Sequence, residues 1–151
     1  MSSPIDENDY IQGFIDNIYI ILNAYKDFIG CNIIETNDDA YIPRYPAITV
    51  ELENFTEAWK EMPRRKTITA NFNITYYYAN INDKNVRQGV RLGLSKICNV
   101  LRESWNLNEY CSDLGAVVKS STPYVLAKGT DIVAGGVIVL EAQKVISVTF
   151  P

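Results

Sequence analysis

The chain has 151 residues, enough for one domain that buries a core without disulfide or metal staples. Hydrophobic residues make up 47% and charged residues 21%, which excludes a disordered chain; the net charge of −4 and pI near 4.8 argue against a dedicated nucleic-acid binder, which carries a basic face. Histidine is absent, and with it the usual general base, the Ser-His and Cys-His nucleophile pairs and the commonest zinc ligand.

In chain order, Ser3-Pro4 offers an N-cap followed by proline at the first helical position, with Glu7 and Asp9 adding negative charge near that end. Ile11, Phe14, Ile15, Ile18, Leu22, Tyr25 and Ile29 recur at helical spacing, and Gly30 supplies a stop. The acidic start lacks the basic segment of a secretory signal. The longest apolar runs, Ile18 to Leu22 and Ile132 to Leu140, fall short of the ~20 residues a membrane helix needs. We therefore expect neither export by a visible signal nor a membrane span. Cys31, Cys98 and Cys111 form no CxxC pair and read as reduced thiols of a cytosolic protein.

Residues 32 to 46 contain Asn37-Asp38-Asp39, Pro43 and Pro46 and read as a connection. Asp38 and Asp39 could hold a hard cation, but no further acidic ligand follows at a defined spacing, and a solvated turn is the better reading. Ala47 to Glu53 alternates Ile48, Val50 and Leu52 against Thr49, Glu51 and Glu53, the pattern of a half-buried strand. Phe55 to Arg65 interrupts that pattern. It sets Trp59 and Met62 beside Pro63 and the basic triplet Arg64, Arg65 and Lys66. Two readings stand side by side: a loop whose tryptophan tucks onto the core, and a hairpin tip that meets a partner, since Trp, Met and Arg are enriched at interfaces.

The centre of the chain is a strand feeding a helix. From Thr67 to Tyr78, Ile68, Ala70, Phe72, Ile74, Tyr76 and Tyr78 take one face, and Thr67, Thr69, Asn71, Asn73, Thr75 and Tyr77 the other. At about 3.3 Å per residue this strand spans on the order of 40 Å. Asn82 or Asp83 is the N-cap candidate of a helix whose stripe is Val86, Val90, Leu94, Ile97, Leu101 and Trp105. Phe72, Ile74, Val90, Leu94 and Ile97 are the expected core between the two.

Asn106 to Asp113 reads as a polar connection, and Gly115 to Ser121 as a third strand that Thr122-Pro123 breaks or bends. Lys128-Gly129-Thr130-Asp131 is turn-like; its residue order and surroundings do not make a phosphate loop. Gly136 to Val148 is the last strand. Tyr76-Tyr77-Tyr78 could stack bases, yet on an alternating strand two of the three belong in the core.

The expected fold is a single α+β domain over residues 1–151, in the order α-β-β-α-β-β. Two helices cover one face of a mostly antiparallel sheet of about four strands. Within this order three features resemble the tail terminator, or tail completion, proteins of tailed bacteriophages. They are the entry Tyr45-Pro46-Ala47-Ile48-Thr49-Val50, the aromatic strand Ile68 to Tyr78 leading to a helix with Asn82-Asp83 at its start, and the close Val133-Ala134-Gly135-Gly136-Val137-Ile138-Val139-Leu140.

The similarity covers Ile11 to Phe150. It implies a homo-oligomeric ring, commonly a hexamer, that caps the tail tube and offers its other face to the neck. Its partners would be copies of itself, the tail tube protein and a neck or connector protein, with DNA passing through the ring. It implies assembly in the host cytoplasm and residence in the virion. No catalytic, cofactor or metal site is expected, and the interface residues expected at the tip are Trp59, Met62, Arg64, Arg65 and Lys66. The alternatives are another neck or head-tail connector protein, a small enzyme using Cys98, Cys111, Asp38 or Asp39, and a single-strand nucleic-acid module using Tyr76 to Tyr78.

Overall fold

The computed structural model describes residues 9–35, 45–60, 65–80, 86–111, 114–128 and 131–147. Helix α1 spans Tyr10–Ala24, and the Asp9 carboxylate caps it by accepting from the Gln12 amide at 2.9 Å. The start expected at Ser3-Pro4 lies outside the described residues. A single turn, α2 (Lys26–Ile29), ends at Gly30, whose φ of 80° is the left-handed conformation that closes a helix. There follow β1 (Ile33–Glu35), β2 (Ala47–Lys60), β3 (Arg65–Asn80), α3 (Val86–Glu103), β4 (Gly115–Lys128) and β5 (Asp131–Ser147). The cap expected at Asn82 or Asp83 also lies outside the described residues.

The architecture is α+β. The five-stranded sheet has the order β1-β2-β3-β5-β4, with the four long strands antiparallel throughout. The fifth strand, β1, falls in the expected connection. Its three residues pair parallel with Ala47, Ile48 and Thr49, too few to show any period.

Two bulges account for the strand ends that the alternation misplaces. In β2 the register shifts between Leu52 and Asn54. The extra residue, Glu53, reverses the parity, so that Ile48, Val50 and Leu52 share a face with Phe55, Glu57 and Trp59. The segment from Phe55 to Lys60 is therefore strand, not a break in the sheet. In β4 a like shift between Val118 and Ser120 lets the strand continue through Thr122-Pro123.

Phe72, Ile74, Val90, Leu94 and Ile97 are all buried in one core with Phe14, Ile18 and Leu22 of α1. Trp105, the last member of the expected stripe, lies past the end of α3 and is half-exposed. The connection from Asn106 is not simply polar: Leu107 and Cys111 are buried. Leu107, Asn108 and Glu109 hold φ values of 48°, 58° and 68° in succession, a left-handed turn that drives Leu107 inward.

Helix α3 approaches β3 closely because two of its residues have no side chain. A Cβ at Gly93 would meet the ring of Tyr76, and one at Gly89 the ring of Tyr78. Glycine ordinarily costs a helix interior about 1 kcal/mol relative to alanine. Here the sign should reverse, because the buried Tyr76 ring has no room to retreat. Gly93→Ala should lower stability by roughly 1–3 kcal/mol, read from the urea unfolding midpoint. A midpoint that rises would mean that α3 stands farther from the sheet.

Candidate assembly surface

The hairpin of β2 and β3 carries the residues the sequence singles out. Trp59 pairs with Lys66, and Lys60 with Arg65, at the far end of the ladder. Phe55 and Trp59 are 50% and 56% exposed although both lie on the face that the helices cover elsewhere. Their exposure follows from position: α1 begins at Tyr10, beside Lys66, and no described helix extends beyond it over this end.

Lys66 is not an available cation. It is only 6% exposed, with its Nζ 3.5 Å from Glu57 Oε1 and 5.4 Å from the ring centroids of both Trp59 and Tyr10. It ties the hairpin to the start of α1, its stem packed and its charge shared among two rings and a carboxylate. Arg65, one residue earlier, faces the opposite way and is exposed. The structure thus brings Trp59, Arg65 and Lys66 together on paired strands, where a connection was expected. Met62 and Arg64 lie outside the described residues.

A second cluster anchors the same end of α1. Tyr110 Oη donates to the Tyr10 carbonyl at 2.9 Å, and Lys144 Nζ donates to the Tyr110 carbonyl while lying 4.2 Å from its ring centroid. Phe14 meets Tyr110 edge-on at 5.2 Å. Gly13 makes this possible, since a Cβ there would strike the Tyr110 ring. Burial pushes the Tyr110 phenol up to about 12, with Tyr10 and Asp9 adding to the shift. The Cys111 thiol is raised by burial to about 11, partly offset by Lys144. No sequence signal marked Tyr110, because its partners lie in α1 and β5.

The opposite face of the sheet carries no described helix. Thr67, Thr69, Asn71 and Asn73 alternate there beside Val139, Glu141, Gln143 and Val145. Cross-strand bonds run from Gln143 Nε2 to Thr69 Oγ1 at 3.1 Å and from Asn71 Nδ2 to Asn54 Oδ1 at 2.8 Å. At one end, Ala47, Tyr77 and Val133 form a small apolar cluster.

Among the described residues no group of three or more Cys, Asp or Glu side chains could hold a metal ion, and the three cysteines are buried and form no disulfide with one another. At neutral pH a thiol shifted as Cys111 is holds its proton and is a poor nucleophile. Asp38 and Asp39 lie outside the described residues. Tyr76 and Tyr77 are buried in separate clusters on opposite faces, so the three tyrosines present no stacking row. No described helix is long and apolar enough to cross a membrane. No protein-family model matches the chain, and no curated protein is similar enough to be reported as a relative.

Two expectations follow. Lys66→Ala should cost roughly 1–3 kcal/mol, from the packed stem and the two ring contacts. Arg65→Ala should stay within about 0.5 kcal/mol. Equal losses in urea unfolding would show that Lys66 is no strut.

The second concerns alkaline pH. The unfolded thiol ionises near 9 and the phenol near 10, while in the folded chain they wait until about 11 and about 12. Their contribution to stability is therefore full below pH 9 and is lost as pH rises through the folded values. The unfolding midpoint of the wild type should fall between pH 9 and 11, and that of Cys111→Ala should fall less. Identical slopes would remove Cys111 from the account.

Proposed function

We propose that this chain is a structural virion assembly protein of the tail terminator type: a subunit of a closed ring that caps the tail tube and meets the neck. No residue is given a catalytic role. The observation that carries the reading is the aromatic end of the β2–β3 hairpin. There Phe55 and Trp59 stay exposed on the face that carries the core of β2 at Ile48 and Val50, with Arg65 exposed on the opposite face of the same hairpin end. Exposed tryptophan and arginine, here at the end of a paired hairpin, are the residue types that anchor interfaces. The acidic balance of the chain supplies complementary surfaces on sibling subunits.

The likeness to tail terminators, spread over the entry to β2, the strand β3 and the start of β5, supports the same reading. So does chemistry, since a ring that saturates one face of a polymer stops its growth by geometry alone. Another neck or connector protein is the second reading within this class, and it makes the same demand for self-association. The hexamer that the likeness implies, and the passage of DNA through its centre, belong to the proposal.

The test is mass in solution by light scattering, with electron microscopy of the protein alone. A ring with an open centre is expected. Trp59→Ala combined with Arg65→Glu should lower the assembled mass, or abolish attachment to tail-tube protein. Arg65→Glu should change monomer stability by only about 0–1 kcal/mol, and loss of the Trp59 ring from Lys66 should cost about 0.5–1 kcal/mol, so thermal unfolding of the variant is read beside its mass. Undiminished assembly and attachment of the double variant would remove the hairpin end from the interface.

A further inference from the structure

The sheet ends in two open edges. Among the described residues β4 pairs with β5 alone; the Gly115 and Ala116 amides donate to the Cys111 and Trp105 carbonyls, so its outer edge is open from Val117 to Lys128. At the other side, among the described residues, β1 pairs with β2 only at Ala47, Ile48 and Thr49, and no described strand pairs with β2 on that side from Val50 to Lys60. Long open edges are templates for another strand, and proteins cover them, blunt them or use them.

Strand direction limits how they can be used. β2 runs antiparallel to β3, β3 to β5, and β5 to β4, so β2 and β4 point in opposite directions. A second copy placed beside the first by rotation about a ring axis keeps its helices on the same side. It then brings its β2 antiparallel to the first copy's β4. Each contact is heterologous and repeats around the ring.

Charge decides between this arrangement and the two symmetric ones. From Ala47 to Lys60, β2 carries Glu51, Glu53 and Glu57 against the single Lys60, with Glu57 turned to Lys66; from Gly115 to Lys128, β4 carries Lys119 and Lys128 and no acidic residue. Joining β4 to β4 sets lysine against lysine, and joining β2 to β2 sets glutamate against glutamate. Only β4 to β2 is complementary.

The two edges also match in level. Leu52, Phe72, Leu140 and Val118 form one row across the sheet, and the bulges at Glu53 and Lys119 follow that row at its two ends. Lys119 lies 3.6 Å from Glu141 with half its side chain exposed, so it can reach outward. Pro123, which lacks an N–H, is level with Gly136, Tyr76 and Ile48, where β1 already covers the edge. It falls outside the stretch in which both edges are open.

We infer that the β4 edge of one subunit pairs with the β2 edge of a second copy, joining subunits through a continuous antiparallel sheet. This rests on the ring reading above and specifies its contact.

Ser121→Pro tests the backbone. Proline at 123 has no donor to give β5, and Ser121, two residues away with no bulge between, directs its N–H to the same outer side. The substitution removes an edge donor and spares the β4–β5 ladder. Assembly should be lost with the thermal unfolding of the subunit retained.

Lys119→Glu and Glu53→Lys test the charge. Each alone should weaken association at least ~tenfold, and an equimolar mixture should regain it, because every contact in an alternating ring again joins opposite charges. Wild-type protein that stays monomeric, alone and with tail-tube protein, would overturn the ring reading itself. Wild-type rings with unimpaired assembly of all three variants would overturn the edge contact and leave the ring standing.

Discussion

The closeness of α3 to β3 is the constraint on which the rest of the fold depends. Tyr76 and Tyr78 rise from the sheet into gaps left by Gly93 and Gly89. In return, Leu94 of α3 reaches down onto Gly136 of β5, which stands beside Tyr76 in the same row. Large side chains from each layer thus enter glycine gaps in the other. The loss of helix propensity at two glycines is offset by burial of one ring and part of another, each aromatic ring hiding 150–250 Å² when fully covered. Once the height of α3 is set, Ile97 and Leu101 meet the sheet, and the left-handed turn at Leu107 is brought to where that side chain can be buried.

The same logic of fit recurs at the other helix. Gly13 admits Tyr110, whose phenol holds the first carbonyl of α1 and whose own carbonyl is held by Lys144. Lys66 closes the remaining corner against Tyr10. Two lysines of an acidic protein are therefore spent inside the subunit, and neither is left for an external anion. That partition explains why basic residues near the hairpin end are not equivalent: Arg65 faces solvent and Lys66 faces the fold.

What was legible in the sequence is what regular periods encode. The alternation of β3 and the stripe of α3 extend over many residues, and both faces are assigned correctly except at Trp105, which lies past the helix end. Failures fall where a period changes. One residue at Glu53 shifts the parity of β2 and makes its outer half look like a loop, so Trp59 was expected on a connection and is found on a strand. β1 is too short to have a period. The burial of Leu107, Tyr110 and Lys66 depends on partners distant in the chain, such as the Tyr110–Tyr10 bond across 100 positions, and local composition carries no trace of them. The sequence left Trp59 between a place on the core and an exposed tip, and the structure leaves it 56% exposed.

The position of β3 in the sheet has a consequence for the order of folding during synthesis. Its partner on one side, β2, precedes it immediately and can zip up as a hairpin once Asn80 has left the ribosome. Its partner on the other side, β5, comes only after α3 and β4. At about 5–20 residues per second that interval lasts several seconds. Through it, the inner edge of β3 and its row of Ile68, Phe72 and Ile74 are without the strand that completes them. In a cell making many copies at once, each nascent hairpin is a potential partner for another nascent hairpin, and premature joining competes with completion of the sheet. The polar face of Thr67, Thr69, Asn71 and Asn73 lessens that hazard on one side, since half of the unfinished strand is content in water.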